Sequence, residues 1–116
     1  MKIIVVGCGK IGRKITEQLS FEGHDVVVID SNNAVVQDVS DDFDVMGVVG
    51  NGASYSVQME AGIEEANLLI AATDSDEVNL LCCMIAKKAG NCSTIARVRN
   101  PEYSADKKFV REGLGI

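Results

Sequence analysis

The sequence predicts an α/β protein built on a doubly wound parallel sheet, and three observations carry that prediction. Short apolar runs alternate with helix-period stretches along the chain, the apolar residues are aliphatic rather than aromatic, and a glycine-rich turn joins the first apolar run to the first helical one. Apolar residues make up 47% of the 116 and aromatic residues 4%, with no Trp, so the core must be Val, Ile, Leu and Ala, as suits strands buried on both faces. A chain of this length has room for one domain, 1–116, but not for a two-half sheet with a substrate domain beside it. It is therefore expected to be part of a longer chain.

Taken in order, Lys2–Val6 reads as the first strand, followed by a helix whose Ile11, Ile15 and Leu19 share one face. Asp25–Asp30 is the second strand, and Val35, Val36 and Val39 line the next helix. Asp44–Val49 and Asn67–Ala72 are the third and fourth strands. The helix after them is bounded by its own chemistry: Ser75 as N-cap, Asp76 and Glu77 in the first turn, Lys87 and Lys88 in the last, Gly90 at the end. Its Leu80, Leu81, Met84 and Ile85 form a stripe that the sheet is expected to cover. Ser93–Arg99 is the fifth strand, and Asn100 before Pro101 starts a last helix running to about Glu112. Gly113 would stop it, and Leu114, Gly115 and Ile116 would lead into a sixth strand cut off at the C-terminus. No repeat, low-complexity tract or linker divides the chain.

A net charge of −6 excludes nucleic acid as a partner, since phosphate backbones require basic stripes. No run approaches the ~20 apolar residues that cross a bilayer, and Ile3–Val6 is too short for a signal peptide, so an intracellular domain without membrane insertion is expected. Cys8, Cys82, Cys83 and Cys92 lack the spacing of a zinc site and read as reduced core residues; no metal is predicted.

The chemistry begins at Gly7-Cys8-Gly9-Lys10-Ile11-Gly12, a G-x-G-x-x-G placed between strand and helix. Gly7 permits the tight turn, Gly9 lets backbone approach a pyrophosphate, Gly12 lets the helix lie close to the strand, and free N–H groups at the helix start meet phosphate oxygens. A lone G-x-G-x-x-G is weak evidence, but the next apolar run ends in Asp30, 18 positions after Gly12, where a carboxylate accepts hydrogen bonds from an adenosine ribose. The same charge repels a 2′-phosphate, and Ser31, Asn32 and Asn33 supply no Arg to bind one, which favours NAD or an adenine nucleotide over NADP. Lys10 is placed to pair with a phosphate or to sit in solvent; Arg13 and Lys14 read as a solvated helix face.

Ligands of such sheets bind outside the carboxyl ends of the strands, so the later loops should complete the crevice. Gly50-Asn51-Gly52-Ala53 would admit an adenine or is merely a flexible turn. Thr73-Asp74 would meet ribose or phosphate, or is an ordinary helix entry. Arg97 and Arg99 alternate along the fifth strand and share a face, so at least one should reach the ligand or a subunit interface. His24 reads as a helix-end residue rather than a catalytic one, and nothing resembles a hydride-transfer acid or base.

Four segments together carry a family resemblance: MKIIVVGCGKIG at Met1–Gly12, GHDVVVID at Gly23–Asp30, ATDSDEVN at Ala72–Asn79 and ARVRNPEY at Ala96–Tyr103. The chain resembles the N-terminal domain of the Trk-type potassium-uptake regulatory subunits, within the family of regulators of potassium conductance. The resemblance implies that Gly7, Cys8, Gly9, Lys10 and Ile11 hold a pyrophosphate, Asp30 the ribose, Asn51 a place near the adenine, and Thr73, Asp74 and Arg97 the remaining ligand contacts. It implies NAD+/NADH as cofactor, with ATP/ADP possible, and regulation of potassium flux rather than catalysis. It implies a cytoplasmic homo-dimer or larger ring, peripheral to the cell membrane through a potassium transporter or channel subunit. Two other readings compete: the cofactor half of an NAD-dependent oxidoreductase, and a redox-sensing repressor module, for which no DNA-binding segment is present.

Overall fold

The computed structural model describes residues 1–108, 110, 111, 115 and 116. Five parallel strands form one sheet: β1 (Lys2–Val6), β2 (Asp25–Asp30), β3 (Met46–Val49), β4 (Leu68–Ala71) and β5 (Ser93–Ala96), in the order β3-β2-β1-β4-β5. The helices between them are α1 (Lys10–Phe21), α2 (Asn33–Phe43), α3 (Tyr55–Glu60) and α4 (Asp76–Ala89), with α5 (Pro101–Ala105) after β5. The doubly wound α/β architecture is the one that the alternation of apolar runs predicts.

The pleat sorts the core into two layers. Along β1, Ile3 and Val5 join Val26, Val28, Val36 and Val39 on one face, while Ile4 and Val6 join Val27, Ile29 and Leu69 on the other. All four β1 residues are essentially inaccessible, as a central parallel strand requires. Burying each such side chain contributes about 1.5–3 kcal/mol, so the sheet centre is where the fold is most strongly fixed. β1 pairs with β2 on one side and β4 on the other, so the strand order reverses direction beside it.

Several boundaries differ from the sequence expectation. β3 begins at Met46 rather than Asp44, because Asp44 caps α2 in the left-handed region at φ 54°. β5 stops at Ala96 instead of reaching Arg99. One further ladder bond follows, from the Arg97 N–H to the Ala71 carbonyl, and the chain then turns toward α5. Helix α3 was not anticipated from the sequence; its six residues are too few for a clear period. The stripe on α4 is also turned from its expected direction. The buried face is Asn79, Cys82, Cys83 and Ala86, while Leu81 and Met84 are 46% and 39% exposed. Small residues let α4 approach the sheet closely, and this decides the face over the larger side chains. On α1, likewise, Gly12 and Thr16 are buried and Ile11 is exposed. The α-helix α5 spans Pro101–Ala105, and after a turn at Asp106 helical backbone resumes at Lys107 and Lys108 and is π-helical at Val110 and Arg111. Glu112, Gly113 and Leu114, where the helix end and the lead into a sixth strand were expected, lie outside the described residues.

Candidate functional site

A crevice of about 660 Å³ opens at the carboxyl ends of β1, β2 and β4, where the strand order reverses. Its size falls in the range of small-molecule and cofactor sites. Gly7, Gly9, Asp30, Asn51, Thr73 and Asp74, all expected from the sequence, line it. Gly50, Gly52, Ser31, Asn32 and Ser75 join them.

The glycine turn is fixed by sterics. Gly7 has φ +104°, and a Cβ there would lie 2.9 Å from the Ala72 carbonyl carbon. A Cβ on Gly12 would lie 1.8 Å from the Gly7 carbonyl oxygen, so α1 can leave the turn at this angle only without a side chain. Gly9 is different: a Cβ there meets nothing within 4 Å, so the open space above it belongs to the crevice rather than to the fold. The first helical bond of α1 runs from the Arg13 N–H to the Gly9 carbonyl. The N–H groups of Lys10 and Ile11 precede it and have no partner within the helix, which gives this end of the helix its affinity for anions.

Asp30 is held from two sides. Its Oδ2 accepts from the Cys8 N–H at 2.8 Å and its Oδ1 from the Asn32 N–H at 2.9 Å. The carboxylate thus bridges the glycine turn and the start of α2, while each oxygen keeps a further lone pair for a hydroxyl. Cys8 contributes its N–H to Asp30, and its side chain is buried in the core layer under α1 and α2. Burial, reinforced by the Asp30 charge, pushes the Cys8 thiol up to about 12. Burial likewise raises Cys82 to about 11 and Cys83 to about 12. All four cysteines are free and buried, so these thiols are packing groups rather than nucleophiles.

Four of the expected site residues do not line the crevice with their side chains: Cys8, Lys10, Ile11 and Arg97. Lys10 and Ile11 are exposed on the first turn of α1. Arg97 and Arg99 do not share a strand face, because the strand has ended; both reach back to the loop after β4. The Arg97 guanidinium donates to the Thr73 carbonyl at 3.4 Å and lies 3.7 Å from the Asp74 carboxylate, and Arg99 donates to the Asp74 carbonyl at 2.6 Å. Asn51 lines the crevice with its side-chain oxygen already committed to the Ala53 N–H at 2.9 Å. Arg13 pairs with Asp42 and lies 4.9 Å from the centre of the Phe43 ring, away from the crevice. His24 meets the N-terminal amine and Glu22, also away from it.

The loop after β4 is organised by a residue for which no role is legible in the sequence. Asn79, fully buried in α4, accepts from the Thr73 N–H at 2.8 Å and from its hydroxyl at 2.7 Å, and donates to the Thr73 and Arg97 carbonyls at 3.1 and 2.8 Å. All four bonding positions of its amide are used, so the ends of β4 and β5 are clamped together. Asp76 does the same for the next segment: it accepts from the Arg99 and Asn100 N–H groups, which hold its carboxyl below the usual carboxylate range. The one signal for Asn79 in the sequence is a polar residue in step with Cys82, Cys83 and Ala86 on the buried face.

A crevice at a strand-order reversal, floored by a glycine turn and flanked by a carboxylate one strand over, defines the Rossmann-type dinucleotide-binding domains. The match to known proteins is narrower. The chain belongs to the TrkA-N domain family, whose family model matches residues 3–115. It is 36% identical over 111 residues to the Trk system potassium uptake protein TrkA of Vibrio alginolyticus, covering 95% of this chain and 24% of that protein. It is 39% identical over 112 residues to the TrkA homolog of Archaeoglobus fulgidus, covering 97% of this chain and 25% of that protein. The chain therefore spans about a quarter of the length of these curated relatives. Among solved structures, the TrkA-N domain of the inner membrane protein ybaL from Escherichia coli superposes with a TM-score of 0.84 at 23% identity, over 94% of this chain and 81% of that one. The GsuK channel bound to NAD gives 0.79 at 21% identity, over 94% of this chain and 20% of the channel. These likenesses establish the fold.

Proposed function

We propose that this domain is the nucleotide-sensing part of a potassium-uptake regulator, in which NAD+ or NADH, or ATP/ADP, occupies the crevice and shifts a conformational equilibrium. The observation that carries the proposal is the doubly anchored Asp30 beside the glycine turn, which presents free lone pairs where a ribose diol would lie while the first turn of α1 presents N–H groups to phosphate. Gly7 and Gly9 with the N–H groups of Lys10 and Ile11 would hold the pyrophosphate, Cys8 would act through its N–H on Asp30, and Asn51, Thr73 and Asp74 would line the rest of the ligand. Arg97 would act through the Thr73–Asp74 loop.

The names of the curated relatives support potassium uptake as the process, and the NAD-bound channel supports nicotinamide dinucleotide as a ligand of this fold. Regulation rather than catalysis is part of the same proposal. A potassium transporter or channel subunit would be the membrane partner, and a cytoplasmic homo-dimer or larger ring the form in which occupancy is read. No described helix is long and apolar enough to cross a membrane.

Calorimetric titration of the protein with NADH, NADPH, ATP and ADP tests the proposal. NADH should bind at least about tenfold more tightly than NADPH, because Asp30 repels the added 2′-phosphate. Equal affinities would remove Asp30 from the ribose, and binding of none of the four would remove the nucleotide function.

A further inference from the structure

Behind the crevice lies a buried amide. Gln58 of α3 is 0% exposed, and its Nε2 donates to the Gly52 carbonyl at 2.8 Å and to the Cys82 carbonyl at 3.0 Å. Both partners are acceptors only, so the amide can sit only this way round; turned over, Oε1 would face two carbonyl oxygens. Oε1 is itself buried with no hydrogen-bond partner among the described residues. An unbranched apolar side chain would fill this space without the orphaned Oε1 but would leave the Gly52 carbonyl without this donor, so the glutamine is held here by its two bonds and not by packing alone.

What the amide does is join the crevice to a helix. Gly52 lines the crevice and is pressed against β1, since a Cβ there would come within 2.3 Å of a Val6 methyl. Cys82 lies in the middle of α4, whose opposite side exposes Leu81 and Met84. One nitrogen holds both carbonyls, so the Gly50–Gly52 wall and α4 cannot shift independently without breaking a buried bond.

We propose that Gln58 is a positioning residue for the nucleotide: it sets the Gly50–Gly52 wall of the crevice and couples that wall to α4, so that occupancy is transmitted to α4. This rests on the nucleotide reading given above. A ligand that favours one position of the wall favours the matching position of α4, and the coupling works equally in reverse. Asn79 sits on the same helix and clamps the opposite wall at Thr73, so α4 carries both sides of the crevice.

The test is amide hydrogen exchange, with ADP as the probe and affinity measured in parallel. In the unaltered protein, ADP should slow exchange in the crevice loops and also change it at residues 82–86 of α4, where the Ala86 N–H shares the Cys82 carbonyl. Gln58→Met should weaken ADP binding about tenfold and abolish the α4 response while the protein stays folded. A Gln58→Met protein that melts lower yet binds ADP unchanged, with the α4 response intact, would show a merely structural role and overturn the proposal. If that variant does not fold, the unaltered protein decides: ADP protection confined to the crevice, with residues 82–86 unchanged, overturns it. ADP binding with no such coupling sinks only this proposal, whereas no ADP binding at all sinks the nucleotide reading with it.

Discussion

On the β1–β2 side of the crevice the groups that face a ligand are placed by backbone, whereas on the β4–β5 side they are placed by side chains. Gly7, Gly9 and Gly12 shape the turn through what they lack, and Asp30 is gripped by two main-chain N–H groups. Across the crevice, Thr73 and the Arg97 peptide stay where they are because Asn79 bonds to both, and Arg99 and Asn100 because Asp76 does. The difference has a mechanical consequence. A backbone-built wall has one steric solution, while a side-chain-built wall can exchange partners, and motion on ligand binding is expected on the second side.

The largest effect should come from Gly12→Ala. The new Cβ would have to displace the Gly7 carbonyl, which is backbone and cannot rotate away, and the loss should be about 3 kcal/mol or more by urea denaturation. Gly9→Ala sharpens the same point from the other direction. Its Cβ meets nothing in the protein and its backbone, at φ −72°, suits any residue, so stability should be unchanged. NADH affinity should still fall by about tenfold, or 1.4 kcal/mol, because the methyl would occupy the path proposed for the pyrophosphate. Calorimetry beside thermal melting separates the two; a Gly9→Ala protein that binds NADH normally would place the phosphates elsewhere.

Much of this contrast was legible before any coordinates. A glycine requirement is local and steric, so Gly7-x-Gly9-x-x-Gly12 between a strand and a helix announces itself by spacing, and Asp30 follows by position at the end of β2. The α/β class and all five strands were legible for the same kind of reason, as aliphatic runs in alternation. The β4–β5 side was not. Asn79 and Gln58 act through partners far along the chain or through packing, and neither leaves a periodic trace. The alternation at Arg97 and Arg99 predicts strand past Ala96, whereas Asp76 captures the Arg99 and Asn100 N–H groups and turns the chain away. On α4 the large aliphatic residues predict one face, and the small ones that allow close approach set another.

A smaller effect, confined to low pH, tests the side-chain-built wall. The Arg99 N–H first, and the Asn100 N–H second, lower the Asp76 pKa in the folded protein. Its contribution is therefore present above the ordinary unfolded value of about 4 and is lost as pH falls through the folded one. The stability gap between the unaltered protein and Asp76→Asn should be constant from neutral pH down to about 4 and narrow below it. A gap independent of pH across that window would mean that the carboxylate charge does not hold the β5–α5 segment.

Whether Asp30 receives the ribose of a bound nucleotide is decided by the NADH affinity of Asp30→Ala beside that of the unaltered protein. Removing a charged acceptor of two ribose hydrogen bonds should weaken binding by about 1.5–3 kcal/mol, roughly a ten- to hundredfold rise in Kd. The Cys8 and Asn32 N–H groups it releases lie at the crevice and can turn to water, so the fold should survive. A folded Asp30→Ala protein that binds NADH as tightly as the original would contradict the account.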